Sequence, residues 1–164
     1  MSMLIVADTG PIVILAKLDH LHILAKLYAE IRIPETVLRE ATYLAHRVDA
    51  QRIKRFIGGQ IKVVSDLTED DPAYLNRGLD AGETQAISLA KQAHCPVLMD
   101  EKRGRSVAKS EKVDVLGTVG LLLKAKQAQL IPAISPLLDK MLENDYRLSP
   151  NLIERAKYLA EEIA

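Results

Sequence analysis

The chain has 164 residues, enough for one domain with a substantial buried core, and its 22 basic and 22 acidic residues give no overall electrostatic preference for nucleic acid. A single cysteine, Cys95, excludes an internal disulfide and a cysteine-rich zinc site, and it fits a cytoplasmic protein. No apolar stretch approaches the roughly 18 residues of a membrane-spanning helix, so we expect no membrane association.

Short apolar runs alternate along the chain with segments of helical periodicity. The first run, MLIVA, shows no alternation of polar and apolar residues, so it predicts a strand over 3–8 that is buried on both faces. Strands that alternate with helices of about ten residues indicate βαβ units and a parallel sheet. The further predictions, in chain order, are a helix from Pro11, a second amphipathic segment HLHILAKLYA capped by Asp19, a strand IRI ending at Pro34, helices over 35–45 and 48–57, a strand IKVV, a helix over 82–93, a strand over 96–99, a helix over 102–110, a strand VDVL and a helix over 118–128.

The C-terminal part of the chain carries its own start and stop signals. Ser149 and Pro150 predict an N-cap and a first helical residue. An apolar stripe follows on one helix face, formed by Leu152, Ile153, Ala156, Leu159 and Ala160. We therefore predict one domain over 1–130 and a helical C-terminal extension over 131–164, which packs on the domain or on a partner subunit.

Two aspartates, Asp8 and Asp100, directly follow apolar strands that lie far apart in sequence. Open α/β sheets bind ligands outside the carboxyl ends of their strands, so two carboxylates at two such ends suggest one acidic site. The alternative is that each aspartate caps the helix that follows it. Gly10 and Pro11 already supply a helix start after Asp8, which leaves its carboxylate free.

Two glutamates are further candidates for the same site, each with an ordinary structural alternative. Glu83 lies in the segment LDAGET, where Asp80 and Glu83 also match a capping box. Glu40 lies in VLREA and flanks a predicted buried stripe, a position at which glutamate is usually exposed to solvent.

A basic segment follows Asp100. A solvated helix face is its ordinary explanation, but Arg103 and Arg105 would stand at the mouth of the acidic site, where a guanidinium fork matches phosphate oxygens. The sequence contains no phosphate-binding P-loop, no dinucleotide-binding glycine motif and no serine-hydrolase motif.

Four segments, LIVADTGPIVILAKL, IPETVLREA, LDAGETQAISLAKQ and VLMDEKRGRSVAK, together resemble the PIN domain in their order and spacing over residues 3–128. This is a family of small α/β metal-dependent ribonucleases that includes the VapC-type toxins, and the chain is similar to a largely uncharacterised branch of it. The resemblance implies a three-layer α/β/α sandwich with a mostly parallel central sheet, followed by the helical C-terminal extension.

The same resemblance implies the roles of individual residues. The family's acidic quartet falls on Asp8, Glu40, Glu83 and Asp100, which are thereby expected to be catalytic and to bind the metal. Many members carry Asp at the third position, where this chain has Glu83, and the neighbouring Glu101 could substitute or assist. Thr9 is similar to a hydroxyl residue that supports the first acid, and Thr118 is expected to reach the site. Thr9, Arg103, Arg105 and Thr118 are the expected substrate contacts.

Carboxylate ligands without histidine or cysteine favour hard cations, so the expected cofactor is Mg²⁺ or Mn²⁺. We therefore predict a metal-dependent endoribonuclease that hydrolyses phosphodiester bonds in RNA and holds RNA through its phosphates. A toxin role would require an antitoxin protein, and the unassigned apolar stripes predict a homodimer. The alternative is a catalytically inactive PIN-like module that binds RNA or a protein. A phospho-accepting receiver-like domain is disfavoured, because VDVLGT lacks the lysine that such a domain requires.

Overall fold

A computed structural model describes residues 2–163 and contains a five-stranded sheet in which all strands are parallel. The strands are β1 (Ser2–Ala7), β2 (Tyr28–Pro34), β3 (Ile61–Val64), β4 (Val97–Leu98) and β5 (Val115–Leu116). The helices are α1 (Thr9–Lys17), α2 (Leu21–Leu27), α3 (Glu35–Ala41), α4 (Val48–Phe56), α5 (Ala81–Ala93), α6 (Lys102–Ser110), α7 (Thr118–Gln127), α8 (Ser135–Glu143) and α9 (Pro150–Leu159).

The order of strands across the sheet is β3-β2-β1-β4-β5. The chain therefore moves outward from β1 through β2 to β3, and then returns to the other side of β1 to form β4 and β5. Because crossovers between parallel strands are right-handed, this reversal places helices on both faces of the sheet. The predicted three-layer α/β/α fold with a parallel sheet is confirmed. The crevice between the carboxyl ends of β1 and β4 is the topological switch point, where such sheets bind ligands.

The central strands are buried on both faces, as their continuous apolar runs predict. Ile5, Val6 and Ala7 of β1 are 0% exposed, and so are the three apolar residues that precede Asp100. Burying one large aliphatic side chain contributes roughly 1.5–3 kcal/mol, so these strands form a well-anchored frame. Among residues 2–163, no helix is both long enough and apolar enough to cross a membrane.

The segment around Asp19 differs from the prediction of an N-cap for the second helix. Asp19 adopts the left-handed conformation, with a φ angle of 57°, and ends α1 instead. Its N–H bonds to the carbonyl of Ala16, and the N–H of His20 bonds to that of Leu15, which is the Schellman pattern of a helix C-terminus. The prediction was wrong because the same short polar residue suits a helix start and a left-handed turn.

Two element boundaries differ by three or four residues from those predicted. Strand β2 begins at Tyr28 rather than at Ile31, because its first residues pair with β1, with Leu4 opposite Glu30. Helix α3 ends at Ala41 rather than at 45, where the hydroxyl of Thr42 turns back to the carbonyl of Leu38 at 2.6 Å.

The C-terminal extension packs against the same hydrophobic core as the rest of the chain. Ile134, Leu138 and Met141 are 0% exposed and join the apolar cluster built on the sheet. Ser149 caps α9 as predicted and accepts a hydrogen bond from the N–H of Leu152 at 3.1 Å. The apolar stripe of α9 is covered only in part: Ala156 and Ala160 are buried, whereas Leu152 and Leu159 are 40% and 55% exposed.

Glu162 fastens the end of this extension to two other helices. Its carboxylate accepts hydrogen bonds from the N–H of Ile134, from the N–H and hydroxyl of Ser135, and from the Lys126 ammonium, at 2.6 to 2.9 Å. Burial alone would raise the pKa of Glu162, but these donors outweigh burial and bring the pKa down to about 2. Glu162 thus supplies the hydrogen-bond acceptor that the N–H groups at the start of α8 require, although it lies far from them in the sequence.

We expect Glu162→Gln to lower the free energy of unfolding by about 2 kcal/mol at pH 7, because charge-assisted hydrogen bonds are lost. Since the pKa of Glu162 is depressed in the folded state, its contribution is present above the ordinary glutamate pKa and is lost as pH falls toward 2. Urea unfolding at pH 7 and pH 3 measures both effects. Glu154→Gln, at an exposed position on α9, is the matched control and should change neither value.

Candidate active site

Asp8 stands at the carboxyl end of β1, next to the topological switch point. It occupies the N-cap position of α1, yet its side chain makes no capping hydrogen bond. Asp8 is only 6% exposed. Asp8 therefore presents a buried acid to the crevice instead of serving the helix that follows.

Glu40 approaches this position from the end of α3. Its Oε1 accepts a hydrogen bond from the Thr9 hydroxyl at 3.1 Å. The Thr9 hydroxyl therefore supports Glu40, whereas the sequence had suggested that it supports the first acid, Asp8. The same oxygen lies against Gly82 in the first turn of α5, where an added Cβ would come within 2.0 Å of it. Gly82 thus leaves the space in which the Glu40 carboxylate reaches the crevice.

Glu83 is the neighbour of Gly82 and enters the site from α5. Asp80 accepts a hydrogen bond from the Glu83 N–H at 2.8 Å, but within residues 2–163 the Glu83 side chain accepts none from the Asp80 N–H in return, so the capping box is only half formed. Within residues 2–163 its Oε2 is buried without a hydrogen-bond partner, and it lies where a Cβ on Gly104 would approach to 2.7 Å. An unpartnered buried carboxylate oxygen is costly, which indicates a position kept for a ligand or a proton.

Asp100 follows β4, and the protein holds its carboxylate on both oxygens. Oδ1 accepts the N–H of Thr118 at 2.7 Å, and Oδ2 accepts the Thr118 hydroxyl at 2.6 Å. The hydroxyl of Tyr146 also donates to Oδ2. Thr118 is 0% exposed and its hydroxyl donates to Asp100. Thr118 therefore supports the Asp100 carboxylate and is not accessible for the predicted contact with the substrate.

The acids of this crevice repel one another, and none of them forms an ion pair with a basic side chain within residues 2–163. Burial raises the pKa of Asp8 to about 7, and the carboxylates of Asp80, Glu40 and Asp100 add to the rise. Burial likewise raises the pKa of Glu83 to about 8, with Asp80 and Asp8 contributing. The pKa of Glu40 is raised for the same two reasons, burial and Asp80, although its bond to Thr9 works against the rise. A bound cation would remove this penalty.

A basic groove opens beside Asp100. It has a volume of about 390 Å³ and is lined by Asp100, Lys102, Arg105, Ser106 and Lys109. The three basic residues are spaced three and four positions apart and so share one face of α6. The guanidinium of Arg103 instead donates to the Arg77 carbonyl at 3.5 Å. Of the two predicted arginines, Arg105 lines this groove and Arg103 does not.

The donor chemistry of the crevice fits a hard divalent cation. Its candidate ligands are carboxylates alone, and one of their oxygens is buried without a partner. However, no three histidine, cysteine, aspartate or glutamate side chains within residues 2–163 are arranged to enclose one ion. The long side chains of Glu40 and Glu83 would therefore have to move to complete a ligand shell around Asp8 and Asp100.

The raised pKa values predict how stability depends on pH when no metal is present. Asp8 and Glu83 bind protons more tightly in the folded than in the unfolded chain, so their stabilising effect is complete below pH 4 and is lost as pH rises through about 7 and 8. We expect the melting temperature in EDTA to fall between pH 5.5 and 8.5. A differential scanning calorimetry series measures it, with the Asp8→Asn, Glu83→Gln double variant as the control whose profile is flatter.

Some residues of the site were not predicted from sequence. Asp80 was visible only as a capping residue, and the same carboxylate raises the pKa of the three neighbouring acids. Lys102 and Lys109 follow from the helical spacing of the basic segment once Arg105 is placed on its inner face. Tyr146 had no local signal, because it lies 46 residues from its partner Asp100 in the C-terminal extension.

Comparisons with known proteins agree with this fold. A solved structure, a PilT N-terminus domain protein from the hyperthermophilic archaeon Sulfolobus solfataricus P2, is similar with a TM-score of 0.54 and 18% sequence identity, covering 75% of this chain and 93% of that chain. No curated protein sequence matches this chain. A family model described as PIN domain matches residues 4–162, which include the C-terminal extension. The chain belongs to the PIN-domain family.

Proposed function

We propose that this chain is a divalent-metal-dependent endoribonuclease with its active site between the carboxyl ends of β1 and β4. PIN domains are nucleases in general, which supports hydrolysis of phosphodiester bonds at a coarse level. The observation that carries the finer proposal is the crevice itself: Asp8, Glu40 and Glu83 all have raised pKa values beside a groove of basic residues.

In this proposal Asp8 and Asp100 are the main metal ligands, with Glu40 and Glu83 completing the shell or orienting a water. A bound Mg²⁺ or Mn²⁺ would supply an activated water and offset charge on the phosphate oxygens. Glu83, with a pKa of about 8, must release a proton when a cation arrives, so metal affinity should rise with pH. Lys102, Arg105 and Lys109 hold the phosphates of the RNA strand that leads to the acids.

The direct test is cleavage of a mixed RNA pool by the purified protein. We expect fragments with Mg²⁺ or Mn²⁺, none with EDTA, and recovery when excess metal is added back. Cleavage that persists in EDTA contradicts the metal mechanism. Arg105→Gln should weaken cleavage through KM, whereas Arg103→Gln, one helix face away, serves as the matched control.

A second candidate function is an inactive PIN-like module that binds RNA or a protein. The observation that favours it is the lack of any closed metal-ligand arrangement among residues 2–163. RNA binding that is equal with and without metal, together with no cleavage of any RNA by wild type, would support the module instead.

A toxin role within a toxin–antitoxin pair is part of the same proposal. Its test is growth arrest on expression, which Asp8→Ala should abolish, and a gene for a small DNA-binding protein immediately upstream would support it. Homodimer formation stays a prediction. The apolar side chains that a second subunit could cover include Tyr43, Leu44 and Val48, which are 83%, 47% and 60% exposed. Light scattering of the purified protein measures the number of subunits.

A further inference from the structure

Tyr146 reaches the acidic site from the C-terminal extension, at the end of α8. Asp145 adopts a left-handed φ of 58°, and its N–H bonds to the Leu142 carbonyl at 3.0 Å. The N–H of Tyr146 bonds to the carbonyl of Met141 at 3.0 Å, which completes a Schellman motif. The backbone of Tyr146 is thus fixed by the helix end, and its ring packs against the hydrophobic core.

The Tyr146 hydroxyl occupies a specific place among the donors to Asp100. It shares Oδ2 with the Thr118 hydroxyl, while among the described residues, 2–163, Oδ1 accepts only the Thr118 N–H. A carboxylate offers about four acceptor positions, so the protein fills three and leaves one, on Oδ1. Two donors on one oxygen and one on the other leave the carboxylate little freedom to rotate.

The Tyr146 hydroxyl also lies close to the part of the crevice formed by the carboxyl end of β1. A Cβ on Gly10, in the first turn of α1, would lie 3.4 Å from the Tyr146 oxygen. A phenol hydroxyl carries its proton at neutral pH, so the Tyr146 hydroxyl donates to the Asp100 carboxylate.

We infer that Tyr146 is a positioning residue of the acidic site, whose hydroxyl holds the Asp100 carboxylate in the orientation that leaves one Oδ1 position free for a ligand. The inference rests on the proposed function in that the ligand is a divalent cation. It extends the site beyond the four acids, because a residue of the C-terminal extension becomes one of its parts.

Tyr146→Phe tests this with the ring retained and the hydroxyl removed. Isothermal titration should show Mn²⁺ binding weakened about 10-fold, the size typical of losing a group that orients a metal ligand. For RNA cleavage, kcat should fall while KM is unchanged, since the hydroxyl contacts Asp100 and not RNA. Tyr158→Phe, at a 73% exposed position on α9, is the same substitution in the same extension and should change neither quantity.

A double-mutant cycle in EDTA tests the contact without any metal. The loss of unfolding free energy on Tyr146→Phe should fall to less than half in an Asp100→Ala background. Equal losses in both backgrounds overturn the inference, whether or not wild type cleaves RNA. If wild type binds Mn²⁺, an equal Mn²⁺ affinity in Tyr146→Phe overturns it as well. A wild-type protein that shows the coupling but binds no Mn²⁺ contradicts the proposed function alone and supports the fixed orientation of Asp100.

Discussion

Asp8→Asn should lower metal-dependent RNA cleavage by at least about 100-fold and, in the same protein, raise stability when metal is absent. The loss of activity is expected to be no smaller than that from removing a group that merely orients a metal ligand. The gain in stability follows from the pKa of about 7, because the folded protein at pH 8 holds a buried charge that Asn does not carry. The gain should be on the order of 4 kcal/mol at most, since the pKa of Asp8 is raised from 3.8 to about 7 and each pKa unit corresponds to about 1.4 kcal/mol.

Cleavage assays and urea unfolding at pH 8 in EDTA measure the two effects separately. Asp139→Asn, on an exposed part of α8, is the same chemical change outside the site and should alter neither activity nor stability. A variant that loses activity together with stability would show that Asp8 serves the fold and not the reaction. Mn²⁺ should raise the melting temperature of wild type far more than that of Asp8→Asn.

Gly82→Ala should lower cleavage about 10-fold while the chain keeps its fold. The new Cβ would lie 2.0 Å from Glu40 Oε1, so the Glu40 carboxylate has to leave the crevice. This oxygen ends a flexible side chain, so displacing it costs the fold little, and alanine is favoured over glycine within a helix by about 1 kcal/mol. The substitution thus moves the Glu40 carboxylate without destabilising α5, so its effect on cleavage reports the position of that carboxylate.

The matched control is Gly59→Ala, where a Cβ would meet its nearest neighbour at an ordinary 3.8 Å. If displacement of Glu40 is the cause, Gly82→Ala should add nothing to the loss already produced by Glu40→Ala. Additive losses in the double variant would mean that Gly82 acts by another route. A large drop in melting temperature for Gly82→Ala would contradict the expected ease of moving Glu40.

The central sheet and two of the acids were predictable because their signals are local. A continuous apolar run marks a strand buried on both faces, and the residue after it lies at the sheet's carboxyl edge. This placed Asp8 and Asp100 on the correct edge, although the strand order that makes them neighbours appears only in the structure. Asp19 shows the limit of such local signals, because one residue type serves both ends of a helix.

The contacts of individual side chains were less predictable. Which hydroxyl supports which acid depends on how α3, α5 and α7 pack. The Thr9 hydroxyl was expected to support Asp8 and bonds to Glu40, and the Thr118 hydroxyl was expected to contact the substrate and bonds to Asp100. Arg103 and Arg105 differ by two positions, which on a helix means different faces, and only the packing of α6 decides which face meets the crevice. Tyr146 depends on tertiary packing across 46 residues of sequence.

The contact between Tyr146 and Asp100 determines how late in synthesis the acidic site can be completed. A chain is made from its N-terminus and a domain generally folds as a unit, so there is a stage of synthesis at which β1 and β2 have been made while the later strands are still missing. Asp8 and Glu40 are then already made, but Asp100 and the phenol that holds it are not. A nascent chain therefore carries an unfinished acidic site until residue 146 has emerged, and under the proposed ribonuclease function the RNA of its own ribosome would not meet a complete site before then.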